Sequence, residues 1–182
     1  YYACDKLGML VMQDMVNNGG YSFLMDTALP TIGYKTKPDQ KKRHDARMQF
    51  FIEHAKETIA HLYNHPSIIA YTIFNEGWGQ FDADSVYDTL RQLDDTRFID
   101  STSGWFRRKK TDVDSRHVYF KPIRLKAGEK PLVLSEFGGY SLKIAEHSFN
   151  LGQTYGYRFF DDKEAFTQAI EKLYTEEIVS MI

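Results

Sequence analysis

The chain has 182 residues, 42% of them hydrophobic and 15% aromatic, and carries a formal net charge of −2. This makeup excludes a disordered chain and a basic nucleic-acid binder, and it fits one soluble globular unit. The single Cys4 excludes an internal disulfide, no Cys/His cluster has zinc spacing, and no apolar run reaches the roughly 18 to 20 residues of a membrane-spanning helix, so neither metal, cofactor, nucleic acid nor membrane is expected as a partner.

Tyr1-Tyr2-Ala3-Cys4-Asp5 is not a signal peptide and there is no initiating Met, so the chain reads as a piece of something longer. Its compartment stays open, with the cytoplasm favoured. Ala3 to Gly8 reads as the last turn of a helix closed by a C′ glycine, and Met9 to Met12 as a short apolar strand that delivers Gln13-Asp14 at its tip. Asp14 is expected to be structural or to position substrate. Val16 to Gln40, with Asn17-Asn18-Gly19-Gly20, Pro30 and Pro38, reads as a long loop over a site. From Lys41 to Asn64, apolar residues at Met48, Phe51, Ile52, Ala55, Ile59 and Leu62 form the stripe of an amphipathic helix.

Ile68 to Phe74 is a continuous apolar run rich in β-branched and aromatic residues, bounded by Pro66 and Gly77. It predicts a strand buried on both faces, as in a parallel sheet. Its tip carries Asn75-Glu76-Gly77-Trp78. Next come a helix capped by Asp82 and carrying Val86, Leu90 and Leu93, a strand beginning at Arg97 to Asp100, a polar stretch from Ser101 to Trp105, and a basic, solvated run from Arg107 to Lys110. Arg116 to Phe120 predicts a short strand, and Leu132 to Glu136 another. Phe137 to Phe160 reads as a long ordered loop. Asp161-Asp162 then opens a last helix striped by Phe166, Ala169, Ile170, Leu173 and Ile178.

A lone Glu at a strand end is as often a solvated residue or a cap partner as a catalytic group. Here the pattern occurs twice, because Leu134-Ser135-Glu136-Phe137-Gly138-Gly139 repeats the apolar strand, terminal Glu, aromatic and glycine of the first. Two such glutamates point to the paired carboxylates of glycoside hydrolysis. Alternating strands and helices leave a doubly wound open sheet or a (β/α)₈ barrel, and two separated strands that each offer a Glu favour the barrel, whose site gathers residues from several strand tips.

At these residues the chain resembles the catalytic barrel of glycoside hydrolase family 2, the family of β-galactosidases, β-glucuronidases and β-mannosidases. The resemblance rests on the stretch from Cys4 to Asp14, on Asn64-His65-Pro66-Ser67-Ile68-Ile69 running into Asn75-Glu76, and on Leu134-Ser135-Glu136-Phe137-Gly138. It implies a TIM barrel and a retaining β-glycosidase that needs no cofactor. By that resemblance Glu76, ending strand 4, is the acid/base and Glu136, ending strand 7, the nucleophile. Asn75 would hydrogen-bond the sugar 2-hydroxyl, Tyr119 would hold the nucleophile, and Trp105, Trp78 and Asp14 would help to bind a carbohydrate substrate; His117 reads as a structural histidine.

The strand count then runs from 3 to 7, with strands 1, 2 and 8 missing. An interior fragment of a barrel is implied, one that lacks further domains of its parent chain, is either marginally stable or self-associating as a homo-oligomer through exposed edges, and is inactive or nearly so alone. The histidines that many β-galactosidases place soon after each glutamate are replaced by Gly77-Trp78-Gly79 and Phe137-Gly138-Gly139, and the Asn-x-Lys of β-glucuronidases does not occur. The sugar therefore stays undetermined. Another retaining enzyme of the same clan, such as an endo-glucanase, and a non-catalytic carbohydrate-binding barrel are the competing readings.

Overall fold

The computed structural model describes residues 1–17, 22–34 and 46–181. Two units divide the chain, Tyr1–Arg116 with Gly128–Val133 and His117–Ala127 with Leu134–Ile182.

The first unit is built on β2 (Ile68–Asn75), which lies between β1 (Val11–Asp14) and β3 (Phe98–Ser103) in a three-stranded parallel sheet. A strand with neighbours on both edges and cover on its faces can be apolar throughout, and Tyr71, Ile73 and Phe74 are fully buried. Helix α3 (Ala46–Leu62) follows β1 and buries Phe51, Ala55, Ile59 and Leu62, the predicted stripe. Helix α4 (Ala83–Arg91) follows β2 and buries Val86 and Leu90. Phe74 stacks on Phe51 at 5.1 Å between ring centroids and meets Phe81 edge-on at 5.3 Å, which joins strand, helix and loop in one core.

Polar clamps secure the start of β2. Helix α1 (Tyr2–Leu7) ends at Gly8 in the left-handed conformation, and its Asp5 accepts from the Ser67 N–H at 3.0 Å and pairs with His65 Nδ1 at 2.5 Å. Those hydrogen bonds, His65 first, lower the Asp5 carboxyl to about 2. Arg97 donates to the carbonyls of Ile68, Tyr63 and His65 and pairs with Asp94 at 2.6 Å. Burial pushes Asp94 up, but donors from Thr96 and Arg97 outweigh it and hold the carboxyl at about 2.

Several expectations are corrected here. The first strand begins two residues late, at Val11, because Met9 and Leu10 are exposed linkers beyond the Gly8 cap. Within the expected 16–40 loop, residues 23–31 are helical: Ser22 Oγ accepts from the Met25 N–H, and Pro30 sits in the first turn of α2 (Leu29–Thr31), where its missing N–H costs nothing. Asn18, Gly19, Gly20, Pro38 and the expected helix start at Lys41 lie outside the described residues. Asp82 does not cap α4 through its side chain, because it is itself left-handed (φ 31°) and uses its carbonyl for the N–H groups of Ser85 and Val86. Leu93, past the end of α4, is exposed.

Strand β3 also continues through Ser101, Thr102 and Ser103, which are buried although polar. Their burial is tolerated because the hydroxyls have partners: Ser101 donates to the Lys110 carbonyl, and Ser103 to Asn75 Oδ1. The outer edge of β3 is taken by a loop rather than by the next strand. Ile99 N–H donates to the Asp112 carboxylate, Asp112 N–H to Ile99 O at 2.9 Å, and Ser101 N–H to Thr111 Oγ1 at 3.2 Å. Among the described residues the strands therefore form three separate sheets in place of one continuous ladder.

Strands β4 (Asp114–Val118) and β5 (Leu132–Phe137) pair with each other, and each begins in the first unit and ends in the second. The second unit has a small core of Val118, Ile123 and Leu173, with Leu134, Phe137, Tyr140 and Ile178 packed on it. The expected loop from Phe137 to Phe160 contains a parallel pair, β6 (Tyr140–Leu142) and β7 (Arg158–Phe160). Helix α5 (Lys163–Lys172) is capped by Asp162, whose carboxylate accepts from the Ala165 N–H at 2.8 Å, and it runs on as a π-helical turn through Ile178.

Candidate active site

In the first unit the site candidates cluster around the tip of β2. Glu76 follows the last strand residue and is only 4% exposed, with a left-handed backbone (φ 50°) that is rare for a side chain of this kind. Such a conformation costs on the order of 1 kcal/mol and persists only where its surroundings impose it. Here the Glu76 N–H donates to Ser103 O, extending the β2–β3 ladder by one bond, and the Trp78 N–H turns back to Asn75 O at 2.9 Å. The strand pairing thus fixes where this carboxylic acid leaves the sheet. Asn75 is fixed as well, since the Ser103 hydroxyl donates to its Oδ1 at 2.6 Å and leaves the amide nitrogen as the end that can serve a ligand.

Trp78 is half-buried, and its carbonyl accepts from Asn17 Nδ2 at 2.6 Å. Trp105, also half-buried, lies past the end of β3, one residue after the left-handed Gly104. Asp14 does end β1, yet the register sets it opposite Thr72, four residues short of Glu76 and about 13 Å lower along the strand. The segment after β1 that reaches the Glu76 turn does so through Asn17. Only the tip of the longer neighbouring strand could have signalled this, because the register is a property of the pairing.

In the second unit, Glu136 is the next-to-last residue of β5 and is half-buried. The Tyr119 hydroxyl, one residue beyond β4, donates to its Oε2. His117 Nε2 lies 3.5 Å from the other oxygen, Oε1, and the His117 side chain is wholly buried. One tyrosine and one histidine therefore address the two oxygens of a single carboxylate. The reading of His117 as a structural histidine missed this, although the period of two along a strand puts His117 and Tyr119 on the same face.

Tyr119 is positioned in turn by an aromatic group. Its ring centroid is 4.4 Å from that of Tyr157, which lies 5.0 Å from Phe120. Gly139, three residues after Glu136, makes room for this: a Cβ there would come within 2.3 Å of the Tyr157 ring, and its φ of 66° is one that side chains resist. The glycine after the second glutamate is thus a packing requirement of the ring that supports Tyr119.

A parallel sheet whose central strand presents a carboxylic acid just beyond its C-terminal end, as β2 presents Glu76, has the form of the site-bearing end of (β/α) enzymes. The profile of the family described as glycosyl hydrolases family 2, TIM barrel domain, matches residues 1–139, a span that takes in both Glu76 and Glu136, and the chain belongs to that family. A comparison with curated proteins finds no match.

Proposed function

We propose that this chain carries the catalytic pair of a retaining β-glycosidase, in which Glu136 is the nucleophile and Glu76 the acid/base. The observation that carries the reading is the Tyr119 hydroxyl on Glu136 Oε2, with His117 beside Oε1. A carboxylate that must attack an anomeric carbon has to be held in one orientation, and the Tyr119 hydroxyl bonded to Oε2 does this while leaving Oε1 for the attack. Family membership supports glycosidase chemistry, and in this reading β1 to β5 correspond to strands 3 to 7 of the family barrel.

In the first step Glu136 displaces the leaving oxygen and forms a glycosyl-enzyme, while Glu76 delivers its proton to that oxygen. In the second, Glu76 takes a proton from water, and the water releases the sugar with its β configuration restored. Asn75, its amide oriented by Ser103, donates from nitrogen to the sugar 2-hydroxyl, a contact that strengthens as charge develops on the ring. Trp78 and Trp105 bind the sugar by their faces. The substrate is an O-β-glycoside of the kind that β-galactosidases and β-glucuronidases cleave.

The test is the product formed with azide in the complete enzyme that contains these strands. Glu136→Gly lowers turnover of an aryl β-glycoside roughly 10⁴-fold or more, and azide entering the vacated face gives the inverted α-glycosyl azide. Glu76→Ala still glycosylates with a good leaving group, and azide then gives the retained β product. Exchanged stereochemistry would reverse the roles, and unchanged hydrolysis in both variants would remove the pair from catalysis.

A further inference from the structure

The second unit carries a half-open cavity of about 320 Å³ that the proposed chemistry does not account for. Its volume is within the range of small-ligand sites, about 300 to 1,000 Å³. Tyr119, Phe120, Tyr140 and Tyr157 supply aromatic walls, and Lys121 and Arg158 supply cations. The Arg158 guanidinium lies over the rings of Tyr140 and Phe160, 5.2 and 5.1 Å from their centroids, which fixes its plane while leaving its N–H edge to donate. Among the described residues neither cation is joined to a carboxylate. The acidic residue of the lining, Glu177, is otherwise engaged, since its Oε2 accepts from the Ile123 N–H at 2.7 Å.

Aromatic faces in a cavity suit the C–H face of a sugar ring, and two cations against the single carboxylate of Glu177 leave a net positive lining that suits a carboxylate or sulfate. A neutral sugar would satisfy only the first. We propose that this cavity binds an acidic sugar residue of the substrate, its ring against Tyr157 and Phe120 and its anionic group on Arg158 and Lys121. The inference rests on the reading of Glu136 as nucleophile, because Tyr119 is shared: its hydroxyl is on Glu136 and its ring is in the cavity wall.

The experiment is titration calorimetry of the 182-residue chain at low salt with methyl β-D-glucuronide, glucose 6-sulfate and methyl β-D-glucoside. One acidic probe or both bind about tenfold tighter than the neutral glucoside, as expected for a charge-assisted contact. Preference for the glucuronide identifies a uronate, and preference for the sulfate a sulfated sugar. Lys121→Ala and Arg158→Ala each remove about that factor from the acidic probes and leave the neutral one unchanged. Arg158→Ala also gives up the stacking on Tyr140 and Phe160, so the exposed Lys121 is the variant that leaves folding intact. Equal affinity for the neutral glucoside, no heat with any probe, or acidic binding unaffected by Lys121→Ala would each overturn the proposal. Binding is read without turnover, so a failure of the nucleophile assignment, seen as normal hydrolysis by Glu136→Gly, is distinguished from a failure here.

Discussion

The two units solve the problem of holding a glutamate at a strand tip in different ways. In the first, Glu76 follows a strand whose side chains lie in a core of fourteen buried residues, and the ladder to β3 continues to its own N–H. In the second, three residues are buried in the core, Val118, Ile123 and Leu173, and Glu136 is held from outside by Tyr119, His117 and the rings behind them. A glutamate can thus be fixed through the backbone on which it sits or through the side chains that grip it. The first way ties it to fold stability, and the second makes it sensitive to local packing.

The largest effect that tests this difference is in the first core. Phe74 is fully buried between Phe51 and Phe81, so Phe74→Ala loses a whole ring and leaves a cavity, at a cost of about 4 kcal/mol. Leu173→Ala, at the centre of the smaller core, costs about 2 kcal/mol. Chemical denaturation measures both, and hydrogen exchange locates them, with β1 to β3 exposed by the first change and the amides around Val118 and Ile123 by the second. Equal losses would mean that the two cores are alike in strength.

Acid supplies the next effect, and it is expected in the first unit. Asp94 is 1% exposed and held at about 2 against an ordinary 3.8, so its charged form is favoured in the folded chain. Its contribution, on the order of 2 kcal/mol, is fully present above about pH 4 and is lost as pH falls toward 2. The half-buried Asp5, lowered in the same way, adds to the loss in the same direction. Thermal melts at pH 5, 3 and 2 follow this, and Asp94→Asn flattens most of the decline. An unaltered slope in that variant would assign the acid sensitivity to other groups.

What the sequence made legible follows the same division. The β2 strand, the α3 stripe and both tip glutamates rest on local pattern, and an apolar run buried on both faces writes its own signature. The extension of β3 was hidden because Ser101, Thr102 and Ser103 are polar, and their burial depends on partners such as Lys110 and Asn75 that only the fold brings near. The β6–β7 pair was hidden for a similar reason. Its strands are three residues each and are separated by fifteen, so neither carries a period, and each is defined by the other. The approach of His117 to Glu136 lay within reach once Tyr119 had been singled out, since the two are spaced by two residues at the end of β4.

The smallest effects decide whether the grip on Glu136 is a matter of packing or of exposed hydrogen bonds. Tyr155 is 84% exposed, and its hydroxyl lies 3.0 Å from that of Tyr157. If this bond held the aromatic group together, Tyr155→Phe would loosen Tyr157; an exposed hydroxyl exchanges its partner for water, however, so the change is expected to cost under about 0.5 kcal/mol. Gly139→Ala acts on the same ring from beneath, where the added methyl is pressed onto Tyr157 by a backbone already at a φ of 66°. Its expected cost is about 1 kcal/mol, with the Tyr157 and Tyr119 rings displaced together. Near-ultraviolet circular dichroism and tyrosine ring resonances register that displacement, unchanged in Tyr155→Phe and altered in Gly139→Ala. The opposite pattern would place the support of Tyr119 in the solvent-facing hydroxyl pair, and the glycine after the glutamate would then serve only the turn of the chain.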